Sequence, residues 1–185
     1  MDVNELIKKW HEKREVDAEK FNRCFPESDD LLAIVLRGHL FVEEYIDRLN
    51  RHYFHYVEYY DKANFNFYKK LLLAKAFLLL PHPNREMFFS PIENFNDLRN
   101  DLAHRLESHN LNNKIMRFLS AVEQRYSKEL LEKFPLGDTS IEKRMRNAIS
   151  YILGELDILD NVIEFMEKSR VYGGNKFNLG KDQQG

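Results

Sequence analysis

The chain has 185 residues, 43% of them hydrophobic and 31% charged, with a formal net charge of −2. That length supports one domain with a sizeable core, and the charge balance excludes a surface that attracts nucleic acid as a whole, so binding of any polyanion has to come from a local cationic cleft. Cys24 is the single cysteine, which excludes an intrachain disulfide and a cysteine-based zinc site and fits a reducing compartment.

Apolar spacing is helical along nearly the whole chain, and no alternating strand pattern stands out, so an all-α fold is expected. The N-terminus carries Asp2, Glu5, Lys8 and Lys9 with no apolar core of signal-peptide length. Leu71 to Leu80 is too short for a membrane span and contains Lys75, so a cytoplasmic protein without a membrane partner is expected. A first helix is predicted from about Val3 to Phe21, forming an N-terminal element over residues 1–27. Pro26 and Ser28 separate it from a long second helix, about Asp29 to Tyr53. A third runs from about Asn66 to Leu80 and is stopped by Pro81-His82-Pro83-Asn84. A fourth is predicted over about 91–109, with Pro91 in its first turn, where the missing N–H costs little. A fifth spans about Lys114 to Phe134 and yields to Pro135 and Gly137. Thr139 and Glu142 have the spacing of a capping box for a sixth helix, about Ser140 to Ser169. Residues 28–170 therefore read as the bundle and 171–185, with four glycines, as a flexible tail.

The fourth helix contains Leu98-Arg99-Asn100-Asp101-Leu102-Ala103-His104. On a wheel of about 100° per residue, Ile92, Phe95, Leu98, Leu102 and Leu106 share an arc of roughly 120°. Arg99 projects inside that arc. Asn100, His104 and Glu107 cluster at roughly 180° to 240°, on an outward side. An arginine at the edge of an apolar stripe is costly unless a carboxylate or phosphate meets it, so Arg99 is expected to have a partner.

Arg99, followed by Asn100 and, after four intervening residues, by His104, resembles the Arg–four to six residues–His signature of HEPN domains, in which a polar residue, often Asn, follows the Arg. Leu31-Leu32-Ala33-Ile34-Val35-Leu36-Arg37-Gly38-His39-Leu40-Phe41-Val42-Glu43-Glu44-Tyr45 resembles the long helix that precedes the motif helix in bacterial members. Phe67-Tyr68-Lys69-Lys70-Leu71-Leu72-Leu73-Ala74-Lys75-Ala76 is similar to the shorter helix between them. The likeness covers roughly residues 28 to 110, about half the chain. It implies a HEPN-like bundle of about six helices, acting as a homodimeric, metal-independent endoribonuclease without cofactor, of the kind that serve as toxins or phage-defence effectors and are restrained by an antitoxin or regulatory protein. It equally covers family members that keep the fold as a non-catalytic regulatory or binding module for a protein or nucleotide. A third reading is a scaffolding, antitoxin-like bundle with a vestigial motif.

In the nuclease reading the 2′-hydroxyl of RNA attacks the adjacent phosphorus. His104, with an ordinary pKa near 6.5, serves as general base or acid, and its symmetry mate takes the complementary role. Arg99 grips the scissile phosphate with its planar fork of donors, and Asn100, one turn before His104, orients the ring or a phosphate oxygen. Glu43, Glu44 and Arg37 of the upstream helix are supporting candidates. Each assignment has a plainer rival. Arg99 can pair with Glu43 or Glu44 to hold two helices in register, and His104 can be an ordinary surface histidine.

Two further features invite function. Tyr53, Phe54, Tyr56, Tyr59 and Tyr60 stand with His52 and His55 among Arg48, Arg51 and Lys62, a composition that can stack bases and that more often packs into a core or a dimer interface. His39 and Glu43 form an i, i+4 pair that supplies only two metal ligands, so a helix-surface pair and no metal are expected.

Overall fold

In the computed structural model, the described residues are 8, 11–12, 15–16, 19–21, 23–25, 30–78, 84–104, 110–125 and 140–174; the side chains of 104 and 168–174 fall outside that description. The helical spacing is realised as an all-α fold, with no strand among the described residues. From residue 30 onward the described residues form six helices in order: α1 Leu31–Arg51, α2 Val57–Lys62, α3 Phe67–Phe77, α4 Asn84–His104, α5 Leu111–Glu123 and α6 Ile141–Gly174. Described residues between 8 and 24 are helical as well.

Local chemistry explains the boundaries. Asp30 caps α1, its carboxylate accepting the Ala33 N–H at 2.7 Å, and the helix buries Ile34, Val35, Gly38, His39, Val42, Tyr45, Ile46 and Leu49 at helical spacing. Asn66 caps α3 in the same way, accepting the Lys69 N–H at 3.0 Å. For α6 the cap is Ser140, whose hydroxyl accepts the Lys143 N–H at 3.3 Å; the expected cap, Thr139, lies outside the described residues. That helix continues to Gly174, into the segment read as tail. The expected second helix ends at Arg51 rather than Tyr53, and the aromatic run beyond it turns and forms the short α2. The fifth helix begins at Leu111, three residues early, and its expected end at Phe134 falls outside the described residues, as do the prolines after α3.

The motif helix departs most from expectation. It begins at Asn84, so Pro91 stands in its interior and not in its first turn. A proline there removes the bond to the Met87 carbonyl and costs about 3 kcal/mol. Phe89, Ile92, Phe95 and Leu98 are all buried around it. At about 1.5–3 kcal/mol for each such side chain, their burial outweighs the proline.

The packing closes a ring. α1 contacts α4, α4 contacts α5, α5 contacts α6, and α6 returns to α1, while α3 packs on the outside of α1. Phe95 of α4 stacks on Phe118 of α5 with ring centroids 4.8 Å apart, and Ile149 and Met145 of α6 fill the middle. At Gly38 the helices come so close that an added Cβ would lie 2.7 Å from Ile149 Cδ1 and 3.1 Å from Phe95 Cζ. No helix among the described residues is long and apolar enough to cross a membrane.

Candidate functional site

Leu98 is fully buried, and this anchors the C-terminal half of α4 so that its neighbours Arg99 and Asn100 stand at the edge of the core. There they line a cleft of about 350 Å³ with three walls. α4 contributes Asn96, Arg99 and Asn100. α1 contributes His39 and Glu43, and the start of α3 contributes Asn66, Phe67 and Tyr68.

The wheel had separated Arg99 from Asn100, one in the stripe and one facing outward. They share one flank instead, because the cleft spans roughly 100° to 200° of the helix and also takes in Asn96. Arg99 Nη1 donates to Asn100 Oδ1 at 3.2 Å. The plainer reading of Arg99 is not realised. Glu43 is held by Lys70 at 3.2 Å and Glu44 by Lys20 at 2.8 Å, and no carboxylate among the described residues forms an ion pair with Arg99. Glu44 and Arg37 do not line the cleft; Arg37 donates to the Cys24 carbonyl at 3.0 Å. His104 ends α4, and its side chain lies outside the described residues.

His39 is the residue that spacing misplaced. Expected on a helix surface with Glu43, it is only 3% exposed. The signal was present in the sequence: Val35, Val42, Ile46 and Leu49 share its stripe. Its ring lies 4.3 Å from that of Phe67, and its Nε2–H donates to Asn96 Oδ1 at 3.1 Å. Burial pushes the imidazole below its ordinary pKa of 6.5, against the Asn96 bond, and the nearby Arg99 charge adds to the depression while Glu43 opposes it. His39 is therefore neutral at pH 7, presents little surface to the cleft it lines, and is tied to it by the bond to Asn96.

The cleft thus combines an arginine without a carboxylate, amide groups and an exposed tyrosine, a set that can receive an oxyanion. Its described carboxylate, Glu43, lies 3.2 Å from Lys70 Nζ, which it shares with Asp47 at 3.0 Å. Among the described residues no group of three or more His, Cys, Asp or Glu side chains is placed to hold a metal ion.

The aromatic run has a mixed fate. Tyr60 is buried, while Tyr56 and Tyr59 are exposed. Tyr53 stacks on Phe77 with centroids 5.1 Å apart. The basic residues meant to accompany stacked bases are partly taken, Arg51 by Asp61 at 2.6 Å and Arg48 by Asp160 at 3.6 Å. His52 bridges Asp160 at 2.9 Å and Glu167 at 3.0 Å, joining the end of α1 to α6.

No family model matches the chain, and no curated protein and no solved structure matches it.

Proposed function

We propose that the chain is a metal-independent endoribonuclease of HEPN type, built as a HEPN-like bundle and working as a homodimer. The observation that carries this reading is Arg99: a partly buried guanidinium in a cleft, paired with no carboxylate among the described residues and bonded to the next residue of the motif. A phosphodiester supplies the negative charge it lacks. The 2′-oxygen of RNA then bonds to phosphorus and its proton passes to one His104 imidazole. The bond to the 5′-oxygen breaks, and that oxygen takes a proton from an imidazolium, the His104 of the second copy. Arg99 and Asn100 stabilise the phosphorane between these steps. The products are a 2′,3′-cyclic phosphate and a free 5′-hydroxyl. Ile158, Val162, Phe165 and Met166 are all exposed along one stretch of α6 and offer apolar surface to a second copy. A toxin or defence role, with an antitoxin or regulator as partner, follows from the same reading.

The test is RNA incubated with the purified protein in EDTA. Cyclic-phosphate ends are expected with wild type and are lost in Arg99→Ala and His104→Ala, along with any toxicity on expression. RNA left intact from pH 6 to 8 by a folded dimer ends the nuclease reading. The second reading, a nucleotide-binding module, draws on the cleft itself, where Arg99 and three asparagines can hold a phosphate whether or not His104 acts on it.

A further inference from the structure

The three asparagines of the cleft have something in common that phosphate binding alone does not require. Asn66 Oδ1 accepts the Lys69 N–H at 3.0 Å, Asn96 Oδ1 accepts His39 Nε2–H at 3.1 Å, and Asn100 Oδ1 accepts Arg99 Nη1–H at 3.2 Å. Each amide oxygen already accepts one bond within the protein, while none of the three Nδ2 groups donates to a partner among the described residues, so the amides keep donors for a ligand in the cleft. Arg99 adds further donors. Glu43, the carboxylate on the wall, is held by Lys70. The lining consequently gives hydrogen bonds and takes few. At about 350 Å³ the cleft is near the small end of ligand sites, and Tyr68, 59% exposed, stands on its α3 wall beside Asn66.

Resting on the phosphodiester reading above, we propose that the cleft is a pocket for one ribonucleotide unit with a keto base: phosphate on Arg99 and Asn100, base stacked on Tyr68, and a carbonyl edge facing the Asn66 amide. Uracil O4 or guanine O6 accepts from Asn66 Nδ2. The amino group that cytosine or adenine carries at the equivalent position would set donor against donor, which a hydrogen-bonding site rejects.

Binding is measured by calorimetry on the full-length His104→Ala variant with 3′-UMP, 3′-CMP, uridine and inorganic phosphate. Expected is 3′-UMP about 10-fold tighter than 3′-CMP and than phosphate. Tyr68→Ala should bring 3′-UMP down to the phosphate level without changing phosphate itself. Added Arg99→Ala should remove binding of every phosphate-bearing probe. Asn66→Asp is the decisive variant, because aspartate keeps the helix cap while replacing the inward donor by an acceptor. It should reverse the preference, so that 3′-CMP binds tighter than 3′-UMP. Equal affinity for the two nucleotides, or a preference that Asn66→Asp leaves unchanged, overturns the inference. If wild type cleaves RNA while these preferences are absent, the pocket assignment fails and the nuclease reading stands. If the preferences and their reversal appear while RNA stays intact, the pocket stands and the nuclease reading fails.

Discussion

His39 inside α1 and His52 at its C-cap stand thirteen residues apart, about 20 Å along the axis, and their surroundings are opposite. At its C-terminal end the charges are matched. His52 lies between Asp160 and Glu167, Arg51 between Asp47 at 2.9 Å and Asp61, and Lys70 reaches Asp47 at 3.0 Å. The Asp160 bond, against burial and with help from Glu167, holds the His52 imidazole above its ordinary pKa. Burial pushes Asp47 up, but bonds from Arg51, Lys70 and Tyr60 outweigh it and keep the carboxyl below its usual range. Around His39 the imidazole is neutral, and Arg99 forms an ion pair with no carboxylate among the described residues although Glu43 lines the same cleft. A cluster that satisfies its own charges fixes helices. One that leaves a cation and several donors unmatched is equipped for something that arrives from outside.

That contrast breaks most readily at Arg99. On the proposed nuclease reading, Arg99→Ala should lower RNA cleavage about 100-fold or more, the usual cost of losing a donor to a developing oxyanion, while thermal unfolding shifts by no more than about 0.5 kcal/mol. Equal losses of both would make Arg99 a structural residue. Asp160→Ala should do the reverse. Removing a buried carboxylate that Arg48 and His52 both face should cost about 2–4 kcal/mol in denaturant unfolding and leave cleavage intact below the lowered melting temperature. Gly38→Val, which forces atoms into Ile149 and Phe95, should cost about 2 kcal/mol.

The smaller effects sharpen the comparison. A raised native pKa at His52 means that its contribution is fully present below the unfolded value of about 6.5 and is lost as pH rises through the native value. Wild type should therefore exceed His52→Gln by about 1 kcal/mol near pH 6, a figure discounted for the exposed Glu167 partner, and the gap should close toward pH 9. His39 acts with the opposite sign. Its depressed native pKa stabilises the fold above about 6.5, and that contribution falls away as pH drops through the native value. A gap between wild type and His52→Gln that is flat with pH would remove the charged-histidine account of the cluster. Asp30→Ala, the loss of one cap, should cost about 1 kcal/mol.

Much of the fold was legible because apolar periodicity and caps are local. Asp30 and Asn66 lie where side-chain caps belong, and the stripe of α1 follows its period. Pro91 misled because a proline in a first turn and one inside a helix carried by buried residues look alike until Phe89, Ile92, Phe95 and Leu98 of the same helix are seen to be buried. The site was half legible. Arg99 and Asn100 stood out from their spacing. Asn96, Asn66 and Tyr68 did not, since the cleft joins three helices that sequence cannot orient, whereas the burial of His39 was written in the apolar stripe it shares with Val35, Val42, Ile46 and Leu49. Asp160 and Glu167 are more than a hundred residues from His52, and nothing local links them.

Gly38 sits one residue before His39, at the place where α1, α4 and α6 crowd together. The gap between the walls that hold His39 and Arg99 is thus governed by an atom that is not there. The width of the cleft can be retuned from behind, by what stands at position 38 and at its neighbours Ile149 and Phe95, without altering any residue that lines it on the α3 and α4 walls.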